Sequence, residues 1–449
     1  MAGFCRGNWG VEGVNKEELK RRVGAAIDRR AREIIDLGED IFAHPELGYK
    51  EVRTAGKVQA EFAALGLTYE KDIAVTGLKA RLKGGKGGAV SACVMGELDS
   101  VLCPGHPHAA PATGAAHSCG HNAQVAAMVG VGMGLVDAGA MPYLGGDVVL
   151  AAVPAEEYVE IEYRSKLRRE GKIQFLGGKQ QFIAEGALDD VDLAMMVHAG
   201  PMETGKMSVG GSNNGFVGKF VRYRGQEAHA GGAPHAGVNA LNAAMLGLMG
   251  IHAQRETLRD DDTIRIHPII TKGGDLVNII RADVRLETYV RGKRMEAVID
   301  AAGKVDRALR AGAMAVGAEV EIETLPGYLP RFSEPRLDEL YADNAVALLG
   351  AEEVLHGGEH TTGSTDMGDV AHIMPAIHPR VGGVVGRGHS EEYEIVDKEL
   401  TYVAPAKVMA MTLIDLLWDD AAAGGRIVAD YEPIHTKESY LKMWETLLA

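Results

Sequence analysis

Cys119 and His121 stand one glycine apart in the run Ala115-Ala116-His117-Ser118-Cys119-Gly120-His121-Asn122-Ala123-Gln124. A thiol and an imidazole at that spacing suit a metal cation, but the same pair is also the pattern of a buried cysteine beside a hydrogen-bonded histidine. Three further ligand-type groups change its meaning, because each follows an apolar run: Glu156 and Glu157 after 147–154, His198 after 193–197, and His389 after 381–388. Thiolate, imidazole and carboxylate together make a first-row transition-metal site, zinc or manganese. Neighbours on an extended strand point to opposite sides, so Glu156 and Glu157 serve one site only if the strand has ended before them. One of them can then ligate while the other stays free as general base. Metal-activated water beside a carboxylate base is a hydrolytic nucleophile.

The elements that must position these groups are legible in part. Asn15 with Glu18 reads as a capping box opening a helix, followed by the apolar stripe Leu19, Val23, Ala26, Ile27, Ile34 and Ile35. Buried strands are predicted over 77–83, 89–95, 147–153 and 192–197, alternating with helices over 54–65 and 124–135. That alternation predicts an α/β domain with a mostly parallel sheet flanked by helices, where ligands sit beyond the carboxyl ends of the strands. Asp99, Glu157 and His198 each close such a strand. Glu97 and Asp99 at one strand end require a cation or donors facing them. Residues 158–181 are long and charged and read as an insertion.

From 207 the grammar changes to strand 219–224, helix 239–253, strands 263–270 and 275–289 around Gly273-Gly274, helix 295–312 and strand 319–325. This order predicts an inserted ferredoxin-like α+β module. The expected organisation is a catalytic domain begun by 1–206, an inserted lid and dimerisation domain over 207–326, and the second part of the catalytic domain with a tail over 327–449. In that last part helices are predicted over 335–349 and 402–418, with a polar loop at 363–369 between them. The tail, 427–449, is expected to be helical and to pack on a neighbour.

The chain has 449 residues, 46% of them apolar, and a net charge of −15 with no basic block. Neither nucleic acid nor an anionic membrane is an expected partner. Cys5, Cys93, Cys103 and Cys119 make no disulfide framework in a chain of this length. Residues 1–10 carry no apolar signal core, and no uncharged apolar run has membrane-spanning length, so a cytoplasmic location is expected.

With these residues in view, the chain resembles the aminoacylase and carboxypeptidase-G family of metallopeptidases (peptidase family M20). It is most similar to the amidohydrolase branch with the indole-acetyl-amino-acid and aminobenzoyl-glutamate hydrolases. The resemblance runs from about Ala31 to Leu417. It rests on His44-Pro45-Glu46-Leu47, Gly96-Glu97-Leu98-Asp99, Ser118-Cys119-Gly120-His121-Asn122, Pro154-Ala155-Glu156-Glu157, Ala228-His229-Ala230-Gly231, Asn239-Ala240-Leu241 and Gly388-His389-Ser390. It implies one or two divalent ions, Mn2+ or Zn2+, held by Cys119, His121, Glu157, His198 and His389. Glu156 is implied as general base and Asp99 as the carboxylate that orients a ligand. His229 would reach a partner subunit's site and hold the oxyanion, and Asn278 and Arg291 would grip the substrate's carboxylate or carbonyl. A homodimer or larger homo-oligomer with shared active sites follows. The implied reaction is hydrolysis of the amide of a small N-acyl or aminobenzoyl amino acid. A relative of the family that removes an aromatic amino group leaves hydrolytic deamination as an alternative, and a silent metal-binding or assembly protein is the alternative from another class. Asn122, Gln124 and Glu97 depart from the family pattern, which has Asp, His and Asp there.

Overall fold

The computed structural model describes residues 13–88 and 90–448. Cys5, the 1–10 stretch, Ala89 and Ala449 lie outside the described residues. A six-stranded sheet runs in the order Tyr69–Ile73, Gly77–Leu82, Asp147–Val153, Ser91–Glu97, Leu193–Met195, Ala376–Ile377. Its first two junctions are antiparallel and the other three parallel. Every residue of Asp147–Val153 after the first is buried, as an unbroken apolar run requires of a strand covered on both faces. Alternation sends Val148, Leu150 and Ala152 into one core, with the helices Lys16–Phe42, His121–Asp137 and Ala404–Leu417. It sends Val149, Ala151 and Val153 into the opposite core, with Phe182, Val370 and the tail residue Tyr440.

Local signals start these helices where the chemistry needs them. Asn15 Oδ1 accepts the amide of Glu18 at 2.9 Å and caps Lys16–Phe42. The next long helix begins at His121, earlier than residue 124, so a candidate ligand is its first residue. Gly120 enters it at φ +85, and a Cβ there would fall 2.3 Å from the Tyr393 hydroxyl. Glycine between Cys119 and His121 is therefore a steric requirement.

The second sheet runs Glu319–Leu325, Gly215–Arg224, Asp283–Gly292, and then Arg265–Ile266 and Ile269–Lys272, antiparallel throughout. The helices Ala240–Ala253 and Met295–Val316 cover one face of it. This is the ferredoxin-like arrangement, with one difference. The ribbon expected from 275 starts at Asp283; residues 275–282 follow Gly274 at φ +122 and pair through an isolated antiparallel bridge of Ile279 with His229 rather than a continuous strand, and Val277 is 98% exposed.

Three further differences bear on the site. Residues 158–181, read as an insertion, pack into the core: the helix Ile161–Arg169 buries Ile161, Arg164, Ser165 and Leu167, and the helix Gly178–Glu185 starts inside the core. The tail forms the helices Ala422–Asp430 and Lys437–Leu448, which pack on their own chain through the buried Tyr440 and Trp444. His198 does not extend the strand Leu193–Met195; it opens the short strand His198–Ala199, which pairs with Arg380–Val381 in a separate sheet. The stretch Glu399–Leu417 has the length and hydropathy of a membrane span, but it is 83% buried and is the core helix here.

Candidate metal centre

Three adjacent parallel strands deliver the site. Asp99 lies just beyond Ser91–Glu97, Glu156 and Glu157 just beyond Asp147–Val153, and His198 just beyond Leu193–Met195. His121 opens its helix beside them. His389 arrives from a distant loop whose amide donates to the Ser118 carbonyl at 2.8 Å. The structure thus brings Cys119, His121, Glu157, His198, His389, Glu156 and Asp99 together. Cys119 Sγ is 3.4 Å from His198 Nε2, and His389 Nε2 is 2.9 Å from Glu157 Oε1. His121 Nδ1 lies 2.9 Å from the Asp99 carbonyl and 3.1 Å from its Oδ1, while Asp99 Oδ2 accepts the Glu157 amide at 2.9 Å. Asp99 therefore fixes one face of the imidazole and leaves Nε2 aimed inward. Glu156 Oε2 is 3.8 Å from that Nε2.

Burial and neighbouring charge set the protonation states. Burial raises the Cys119 thiol and Glu157 adds to this, but His121 and His198 outweigh both and bring it down to about 6. Glu157 is held down at about 2, because His389 more than offsets the cost of burial. The partner shows the converse: the Glu157 carboxylate lifts His389 to about 11. Glu156 goes the other way, raised well above the usual carboxyl range by burial and then by Glu97 and Glu157. Of two adjacent carboxyls, one is thus kept ionised and the other is poised to carry a proton.

The donor set fits a divalent transition metal. Cys119, His121 and His198 form one group of ligand atoms within 4.8 Å of one another, and Cys119, Glu157 and His389 form another that shares the thiol. His121 Nε2 lies 3.0 Å from Glu97 Oε2 and Glu157 Oε1 lies 2.9 Å from His389 Nε2, so buried ligand-type atoms face one another across the cluster, as a donor set for a cation would. Glu97, His121 and Glu156 make a third such group.

The lid residues divide. Arg291 lies on the sheet face away from the lid helices, in the series Asp283, Arg285, Glu287, Tyr289, Arg291 that alternates with buried Val284, Leu286 and Val290. Its guanidinium carbon is 5.3 Å from the Phe216 and Tyr289 rings, and Nη1 donates to Ser364 Oγ at 3.1 Å. Burial lowers its pKa, opposed by Tyr289, Glu156 and Glu157, which puts it near the cluster. His229 and Asn278 are exposed on adjoining backbone, with the Ala230 amide donating to the Asn278 carbonyl at 2.8 Å. No hydrogen bond of theirs reaches the cluster among the described residues. His229 Nδ1 accepts the amides of Gly231 and Gly232 at 3.2 and 2.9 Å, which leaves Nε2 as the outward donor of a neutral ring.

Several residues of the site were not identified from sequence. Lys179, fully buried, ion-pairs with Glu97 and, at 2.5 Å, with Asp366. Gln124 brackets Glu97, accepting its amide at 3.0 Å and donating to Oε2 at 2.8 Å. The unusual Glu97 and Gln124 are thus one hydrogen-bonded unit, and Asn122 turns away to Tyr402 and Gly38. The signal for Lys179 was its place after Gly177-Gly178, leading directly into Gln180, Gln181 and Phe182.

The family profile of the peptidase dimerisation domain matches residues 212–315. The chain is 29% identical over 428 residues to Xaa-Arg dipeptidase of Mus musculus, covering 91% of each chain. It is 25% identical over 337 residues to a p-aminobenzoyl-glutamate hydrolase of Escherichia coli, covering 70% of this chain and 63% of that one. Its fold matches a dinuclear metal-binding peptidase of the M20 family from Bacillus subtilis with a TM-score of 0.60 at 19% identity, over 87% of this chain and 99% of that one.

Proposed function

We propose that the chain is a metallopeptidase of the M20 type and that it hydrolyses the amide bond of a dipeptide or N-acyl amino acid whose free carboxylate is held by Arg291. Cys119, His121, Glu157, His198 and His389 would hold the divalent metal, Mn2+ or Zn2+, one or two ions per chain. Bound there, the metal supplies Lewis acidity that polarises the scissile carbonyl and makes water a nucleophile near neutral pH. Glu156 takes the proton from the attacking water and returns it to the leaving nitrogen. Asp99 keeps His121 in the tautomer that points Nε2 inward. The guanidinium of Arg291, seated on two aromatic rings with no carboxylate in contact among the described residues, binds the substrate's carboxylate. Asn278 supports that grip from the same lid.

The observation that carries this reading is the pair Glu156 and Glu157. Both face one thiol–imidazole cluster, one ionised against His389 and one held above its usual range. The relatives' names favour an amide over an aryl amine. The working unit is a homodimer. Met245, Leu246 and Met249 form an exposed apolar stripe on the helix Ala240–Ala253, and the strand residues Ile269 and Ile270 of the same module are exposed too. A two-fold partner covers this stripe and brings the partner subunit's His229 to the oxyanion. The test is a screen of metal-loaded protein against Xaa-Arg dipeptides, N-acyl amino acids, aminobenzoyl-glutamate and amino-benzoates. Release of a free amino acid is expected; ammonia from amino-benzoates without amide cleavage would overturn the reading.

A further inference from the structure

Glu156 and Glu157 face one cluster because the chain turns sharply at Ala155, which sits in the left-handed region at φ +57. A residue with a Cβ holds that conformation only where its surroundings impose it. Here they do so through three buried side chains from separate parts of the chain. Glu51 Oε1 accepts the Ala155 amide at 2.8 Å. Arg164 Nη1 donates to the Ala155 carbonyl at 3.2 Å and to the Leu176 carbonyl at 2.7 Å. The Tyr328 hydroxyl donates to the Glu156 carbonyl at 2.5 Å. These side chains are 0%, 1% and 2% exposed in that order.

A carboxyl thus sits on the donor side of Ala155 and a guanidinium on its acceptor side. Neither makes an ion pair among the described residues. The other oxygen of Glu51 accepts the Thr76 hydroxyl at 2.6 Å. Burying two such groups apart from each other is costly unless the backbone between them needs both. Space around the turn is equally committed. A Cβ on Gly48 would fall 2.3 Å from Arg164 Nη2 and 2.9 Å from Ala155 Cα, and one on Gly178 would fall 1.7 Å from the Pro154 carbonyl oxygen.

We propose that Glu51, Arg164 and Tyr328 are positioning residues that clamp the Ala155–Glu156 backbone and so aim the Glu156 carboxyl at the reacting water. The clamp acts through Glu156 and rests on the reading of that residue as general base. All three members come from segments outside every ligand motif: Glu51 from the head of the helix Val52–Ala64, Arg164 from 158–181 and Tyr328 from the return out of the lid.

The experiment compares Tyr328→Phe, Glu51→Ala, Glu51→Gln and Glu156→Gln for kcat, KM and bound metal. Tyr328→Phe removes one oxygen and should lower kcat about 5-fold, the size of one lost hydrogen bond. Glu51→Ala should lower it by about 10-fold or more, since it strands a buried amide. Both should keep the wild-type KM and metal content, and Glu51→Gln, which retains the acceptor, should recover most of the lost kcat. A purely structural role would lower the melting temperature and leave kcat of the folded fraction unchanged. Wild-type kcat in folded Tyr328→Phe and Glu51→Ala, with Glu156→Gln inactive, would overturn the clamp alone. Equal damage from Glu51→Gln and Glu51→Ala would also overturn it, as would lost metal with unchanged kcat. An active Glu156→Gln would overturn the general-base reading itself and the clamp with it. If Glu51→Ala does not fold, the isosteric Tyr328→Phe decides.

Discussion

Cys119 belongs to two of the three ligand groups, whereas His389 belongs to one. That asymmetry gives unequal expectations for the two alanine variants. Cys119→Ala takes a donor from both of its groups and should leave the protein essentially without metal, while His389→Ala should cost the group it shares with Glu157 first. Losing a donor from so small a set costs most of the affinity. Full metal content in both variants by elemental analysis would remove them from the site. Glu156→Gln should retain metal, because Glu156 is outside both groups that contain Cys119, and should lose roughly 10²-fold or more in kcat, as expected for a missing general base. A kcat near wild type would make Glu156 structural. The ligand-type residues were legible in the sequence because each closes an apolar run, where an ionisable side chain is conspicuous. Lys179, Glu51 and Arg164 were not, because their partners lie in other segments. Glu51 reads as an ordinary helix-flanking acid until Ala155 is seen 104 positions away in the chain, donating to it.

At the scale of elements, the strand Asp283–Gly292 explains Arg291. Burial alternates along it residue by residue, so Arg291 must face away from the lid helices, as Tyr289 does. Arg291→Ala should raise KM for substrates with a free carboxylate by more than it lowers kcat. An unchanged KM would remove it from substrate binding. Elements whose own pattern suffices were read well, such as Glu319–Leu325 and Pro335–Leu349. Residues 275–282 were misread as strand because their polar–apolar order suits one, while strandedness depends on a partner that the sequence does not reveal. The segment 158–181 reads as a charged insertion, and its sequence does not reveal that Lys179 and Arg164 are buried inside it. Lys179 ties the helix Gly178–Glu185 to Glu97 and to Asp366, so Lys179→Met would leave two buried carboxylates facing each other. Removing one partner of a buried ionic network costs about 3–5 kcal/mol. Denaturant unfolding should show a loss of that order; a loss under about 1 kcal/mol would mean that the carboxylates are neutral without it.

At the scale of the whole molecule, the separation between His229 and the cluster decides how the sites are built. His229 is exposed in the inserted module, with its Nδ1 occupied by two backbone amides and its Nε2 free to donate outward. The exposed stripe Met245, Leu246 and Met249 lies in the same module, within the residues that match the dimerisation domain. The proposed two-fold pairing through that surface, with each His229 in the partner's site, can be separated from an in-chain role by mixing two defects. His229→Ala and Glu156→Ala proteins, each nearly inactive, are unfolded and refolded together. If His229 acts across the interface, every mixed dimer has one site with both residues intact and one with neither. Random pairing makes about half of the dimers mixed, so roughly a quarter of wild-type activity should return in an isologous dimer. If His229 serves its own chain, every site keeps one defect and nothing returns. Mixed dimers confirmed by mass but without activity would reject the shared site while leaving the metal ligands and the Glu156 base standing.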